Sequence, residues 1–134
     1  MTNLSQFSAL IFNHLEGVNW AGFYLVVSKN LLQLGPFQGQ VACTQIPFGR
    51  GVCGAVAKSK KSLVVANVHE YEGHIACDAK SNAELVVPLL VEGQLVGVCD
   101  IDSPNLGRFT QADLIGIEAL VDCLIKHTDF SLLK

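Results

Sequence analysis

The chain has 134 residues, half of them hydrophobic, with a mean hydropathy of +0.39 and a net charge of −3; this fits one domain with a full apolar core and excludes a disordered or solvating protein. Its nine Lys and Arg are scattered, which makes nucleic acid a poor partner, and no apolar run reaches the roughly 18–20 residues of a membrane span. The opening Met1-Thr2-Asn3-Leu4-Ser5 has no basic region followed by an apolar block, so no secretory signal is expected. Five cysteines then point to a reducing, cytoplasmic setting, and their odd number argues against a purely structural disulfide framework.

Leu4, Phe7, Ile11 and Leu15 form one helical stripe, predicting a packing helix over 2–16 with Thr2 as cap and Gly17 as stop. Residues 20–27 read as a first strand, with Trp20, Gly22, Tyr24 and Val26 on one face and Ala21, Phe23, Leu25 and Val27 on the other. Ser28-Lys29-Asn30 turns the chain into a second strand over 31–34, which Gly35-Pro36-Phe37-Gln38-Gly39 is expected to end. A third strand is expected over 40–46, with Val41, Cys43 and Gln45 facing together. The run Pro47 to Ala57 reads as a glycine-rich entry into a short helix of small residues, where the glycines allow close backbone approach. Lys58–Lys61 is a solvated turn before a buried strand over 63–66. Residues 84–90 and 94–102 form a hairpin about Glu92-Gly93. In its second strand Val96, Val98, Asp100 and Asp102 should point one way, and Leu95, Gly97, Cys99 and Ile101 the other. Two aspartates on one face of an apolar strand are costly unless they line a pocket or solvent. Thr110-x-x-Asp113 caps a last helix whose stripe is Leu114, Ile117, Val121, Leu124 and Ile125. Two terminal helices, about six strands and one short internal helix predict an α+β domain with a largely antiparallel sheet.

The chemistry is expected in the polar stretch from Glu72 to Glu84, which places Cys77, His74, Asp78 and Glu84 between two apolar strands; connections of this length usually bind or catalyse. A cysteine attacks as thiolate, and His74 or loop N–H groups could favour that form, whereas Asp78 and Glu84 would oppose it. The carboxylates suit other work: donating a proton to a developing oxygen, or holding a substrate ammonium. Glu84, Asp100 and Asp102 could raise one another's pKa enough for the first. The plain alternative for a cysteine on an apolar element is a small buried hydrophobe; it suits Cys99 and Cys123, remains open for Cys43, and is weakest for Cys77. Cys53 could lie among mere packing glycines, His69 reads as an ordinary strand-end residue, and Trp20 and Tyr24 could be simple core. No Cys-x-x-Cys pair occurs and the four histidines show no metal-ligand spacing, so neither a metal nor a cofactor is expected. The residues alone reach a redox or nucleophilic cysteine site without a named substrate.

Several motifs carry a resemblance beyond this: Asn19-Trp20-Ala21-Gly22-Phe23-Tyr24, Gly35-Pro36-Phe37-Gln38-Gly39, Ala42-Cys43, Gly49-Arg50-Gly51-Val52-Cys53-Gly54, Gly73-His74-Ile75-Ala76-Cys77-Asp78-Ala79, Ser81-Asn82-x-Glu84 and Asp100-Ile101-Asp102-Ser103. Over residues 4–127 the chain resembles the free methionine-(R)-sulfoxide reductases, a catalytic branch of the GAF fold. The resemblance implies a single GAF domain over 1–134, with the terminal helices on one face of the sheet and a loop-covered pocket on the other. It implies Cys77 as the attacking cysteine, Cys43 as the resolving one through a disulfide, and Cys53 as an auxiliary thiol. Glu84, Asp100 and Asp102 match pocket acids, Trp20 and Tyr24 match aromatic walls, and His74 joins the substrate-binding set. The implied partners are free methionine-R-sulfoxide and a thioredoxin-like reductant, with a homodimer left open. Cys99 and Cys123 are additional to the motif cysteines, and the first helix starts unusually close to Met1. The competing reading is a noncatalytic GAF module that binds a small ligand or senses oxidants. Such a module is normally attached to an output domain, for which little room is expected here.

Overall fold

A computed structural model describes residues 1–73 and 80–133; His74, Cys77 and Asp78 lie outside these. Helix α1 spans Thr2–His14, strand β1 Trp20–Ser28, β2 Leu31–Gly39, β3 Gln45–Pro47, helix α2 Gly51–Ser59, β4 Leu63–Val65, β5 Ala83–Val91, β6 Gln94–Ser103 and helix α3 Gln111–Lys126. The strands form one sheet in the order β3-β2-β1-β6-β5-β4, every neighbouring pair antiparallel. Among the described residues no helix is long and apolar enough to cross a membrane.

Period-two alternation in β1, β5 and β6 divides the interior into two layers. On one face Ala21, Phe23, Leu25, Leu85, Val87, Leu89, Cys99 and Ile101 pack against Leu4, Phe7 and Ile11 of α1 and Ile117, Val121 and Leu124 of α3. On the other, Trp20, Tyr24, Val86 and Val98 meet Val52, Cys53, Val56 and Ala57 of α2, with Leu32 and Ile46. Helix α3 enters the first layer through the predicted capping box, Thr110 accepting from the Asp113 N–H and Asp113 accepting from the Thr110 N–H.

Several expectations need correction. The cap of α1 is Met1 and carries no side-chain hydrogen bond; Thr2 is inside the helix. Strand β2 does not stop at Leu34 but continues to Gly39. The register steps from Tyr24 opposite Leu34 to Gly22 opposite Phe37, so three positions of β2 face two of β1; this bulge admits Gly35 and Pro36 without ending the ladder. The third strand is only Gln45–Pro47, and residues 40–44, with Val41 84% exposed, leave the sheet. Strand β4 is half-buried rather than buried, as befits a sheet edge. In β6 a second bulge, between Leu95 and Gly97, reverses the predicted alternation: Leu95 joins the α2 layer and Val96 the other, while Val98 and Asp100 keep the predicted face. Cys99 is buried as expected, but Cys123 is exposed on α3. His69, expected at a strand end, sits in a one-turn helix, Val68–Glu70.

Candidate active site

The α2 side of the sheet carries the buried acids. Trp20, Asp102, Glu84 and Val65 stand in one cross-strand row over β1, β6, β5 and β4, with Gly22, Asp100 and Val86 in the row beside it. Direct and diagonal cross-strand neighbours lie within side-chain reach, so Glu84, Asp100 and Asp102 meet although 16 and 18 residues of chain separate the first from the others. Cys53 reaches the same point from the first turn of α2, its thiol donating to Glu84 Oε2 at 3.8 Å. Glu84 is 7% and Asp100 5% exposed, and Asp102 is half-buried.

Burial and the Asp100 charge push the Glu84 carboxyl well above the usual carboxylate range; burial and Asp102 do the same to Asp100. Burial likewise raises the Cys53 thiol, reinforced by Asp100 and Glu84. Burial and mutual charge thus shift both carboxyls and the Cys53 thiol toward their protonated forms. Asp100 Oδ1 is buried without a hydrogen-bond partner.

Above the acids stands an aromatic wall. Trp20 stacks on Tyr24 with ring centroids 6.0 Å apart and on Phe37 at 5.3 Å. Both polar handles are tied down: Trp20 Nε1 donates to the Gln40 carbonyl and the Tyr24 hydroxyl to the Cys43 carbonyl, each at 3.0 Å. Burial, then Asp100 and Cys53, raise the Tyr24 pKa, so its hydroxyl stays protonated. These two bonds tie the irregular segment 40–44, and Cys43 within it, to the aromatic wall. Cys43 is disulfide-bonded, whereas Cys53, Cys99 and Cys123 are free thiols.

Of the residues expected to act, the structure thus assembles Cys53, Glu84, Asp100, Asp102, Trp20 and Tyr24, with Cys43 alongside; His74 and Cys77 lie outside the described residues. The described ends of their segment are anchored. The Gly51 N–H donates to Gly73 O at 3.1 Å, and the Asn82 N–H to Ser103 O at 2.8 Å. The Asn82 side chain joins Pro104 O at 2.7 Å and His69 Nε2 at 2.8 Å. Sequence reasoning did not single out Phe37 or Asn82. The signal for Phe37 was Gly22, an isolated glycine inside a strand, which marks close approach: a Cβ there would collide with Phe37.

A GAF domain family model matches residues 2–122. The chain is 49% identical over 126 residues to the free methionine-R-sulfoxide reductase of Escherichia coli, covering 94% of this chain and 76% of the relative. Two solved structures superpose closely. The free methionine-R-sulfoxide reductase of Neisseria meningitidis, solved in complex with its substrate, gives a TM-score of 0.90 at 42% identity, covering 93% of this chain and 75% of that one. The reduced Staphylococcus aureus protein gives 0.88 at 48%, covering 92% and 79%. With these similarities spread over nearly the whole sheet and its helices, this chain belongs to the GAF-domain family and, within it, to the free methionine-R-sulfoxide reductases.

Proposed function

We propose that this protein reduces free L-methionine (R)-S-oxide to methionine by thiol chemistry at the pocket between α2 and the sheet. The observation that carries the reading is the buried Glu84–Asp100 pair, whose raised pKa values favour protonation beside the aromatic wall and the disulfide-bearing Cys43. A sulfoxide oxygen must be protonated as its sulfur is attacked, and a carboxyl whose pKa is raised by burial is suited to supply that proton.

The Cys77 thiolate attacks the sulfoxide sulfur while Glu84 or Asp100 protonates the oxygen; methionine leaves and the oxygen passes to Cys77 as a sulfenic acid. The Cys43 thiol condenses with it, forming a Cys43–Cys77 disulfide and releasing water. A thioredoxin-type dithiol then reduces the disulfide by exchange. The disulfide at Cys43 and the free thiol at Cys53 support this division of labour over one in which Cys53 resolves.

Half-buried Asp102 would take the substrate ammonium, and the N–H groups at the start of α2 its carboxylate. Trp20 and Tyr24 would clasp the thioether chain, with His74 assisting from the loop. A sulfoxide within a polypeptide lacks both charges and would leave these groups unpaired, which gives specificity for the free amino acid.

Single turnover tests the reading. Prereduced protein mixed with the R epimer should release about one methionine per chain and acquire a Cys43–Cys77 link on mass mapping, while the S epimer yields none. If neither epimer releases methionine, the reductase reading fails and a noncatalytic ligand-binding or oxidant-sensing module replaces it.

A further inference from the structure

The acid cluster contains a donor set that no local sequence spacing signals. Cys53 of α2, Glu84 of β5 and Asp100 of β6 each offer one ligand-type atom, and the three atoms lie within 4.8 Å of one another. The Cys53 Sγ to Glu84 Oε2 separation is 3.8 Å. A tetrahedral ion with metal–sulfur and metal–oxygen bonds of about 2.3 and 2.0 Å holds neighbouring donors about 3.3–3.6 Å apart. The existing separations close to that with side-chain shifts of about 1 Å or less.

Two further observations favour an ion over a mere carboxyl contact. Asp100 is 5% exposed, one of its carboxylate oxygens lies within 4.8 Å of the Glu84 and Cys53 donor atoms, and its Oδ1 is buried without a hydrogen-bond partner. A buried acceptor left in this state costs about 1–3 kcal/mol. The three ligands are also anchored on a helix and two central strands, so the site is built before an ion arrives. One sulfur with two carboxylate oxygens is a poor set for magnesium or calcium, which take six or more oxygens, and suits a borderline, thiophilic divalent ion.

We propose that Cys53, Glu84 and Asp100 form a binding site for a thiophilic divalent cation of the zinc class, occupied in competition with the sulfoxide substrate. Binding follows from the donor geometry alone. Only the competition rests on the reductase reading, because the ion would occupy the carboxyls that the substrate oxygen requires. The site would make zinc a reversible inhibitor, with no part in turnover.

Cadmium is the probe, because a thiolate ligand gives it an ultraviolet charge-transfer band. The experiment uses oxidised protein, in which Cys43 is held in its disulfide, carrying Cys123→Ser to remove the exposed thiol. One equivalent of cadmium should produce the band, and zinc should displace it. On that background Cys53→Ser should abolish the band, and Glu84→Gln should keep it while weakening cadmium binding at least tenfold. No band before any further substitution would overturn the site, as would a band that survives Cys53→Ser or an affinity indifferent to Glu84→Gln. Because the first measurement is made without touching the three ligands, a Cys53→Ser protein that fails to fold leaves the proposal open to refutation. Cadmium binding without methionine release would remove the reductase reading and leave the site standing; methionine release without cadmium binding would do the reverse. Where both occur, zinc should raise KM for the sulfoxide at constant kcat.

Discussion

The two faces of the sheet solve opposite problems with the same strands. Against α1 and α3, β1, β5 and β6 present Phe23, Leu85 and Ile101, all fully buried among apolar neighbours. Against α2 the alternate residues begin the same way, with Tyr24, Val86 and Val98, and then give way at one end to Glu84, Asp100 and Asp102. Two of these acids are as buried as the core around them. The first face is built to hold the fold, and the second accepts the desolvation cost of buried carboxyls. Stability and activity should therefore respond in opposite directions to substitutions on the two sides.

The sharpest break comes from paired substitutions. Phe23→Ala should cost about 3–5 kcal/mol, measured by denaturant unfolding, with kcat preserved wherever the protein remains folded. Glu84→Gln should leave stability unchanged or increase it and lower single-turnover methionine release by about 10²–10⁴-fold. A protein in which both variants lose stability and activity together would remove the contrast.

A pH series sharpens it. Glu84 and Asp100 have folded-state pKa values raised above those of the unfolded chain. The stability they contribute is therefore fully present below about pH 4 and is lost as pH rises through the raised values. Asp100→Asn cannot ionise, so its melting temperature should exceed that of the wild type by about 3 °C or more at pH 8, with the gap closing toward pH 4. Methionine release should fall over the same rise in pH, as the proton donors empty. A gap that widens toward acid would mean that these carboxyls are ionised in the folded state. The smallest expected effect lies on the helix face: Thr110→Ala removes half of the α3 capping box and should cost about 1 kcal/mol, with no change in turnover.

Much of this contrast was legible in the chain. Alternation in β1 separated Trp20 and Tyr24 from Ala21 and Phe23, and the odd pair Asp100 and Asp102 on an apolar strand marked the polar face. Both readings rest on the period of two, which is local. The extension of β2 through Pro36 was not legible, because proline ends most strands and the bulge that admits it depends on a partner strand. The exchange of Leu95 and Val96 was hidden for the same reason: a one-residue bulge leaves no compositional mark and flips every side chain beyond it. Cys123 lies off the α3 stripe of Ile117, Val121 and Leu124, so its apolar helix leaves it exposed.

The element order, the hairpin at Glu92-Gly93, the capped last helix, the two-faced sheet and a set of residue types suited to cysteine redox or nucleophilic chemistry were all legible in the chain, since each follows from local spacing or from side-chain chemistry. Tertiary structure alone decided that Cys53, Glu84 and Asp100 share one buried point, which of the acids are desolvated, and that Tyr24 and Trp20 tie down the Cys43 segment. Those properties arise where α2, β5 and β6 converge, and the pKa of a carboxyl depends on the water and charge around it, which no stretch of chain carries within itself.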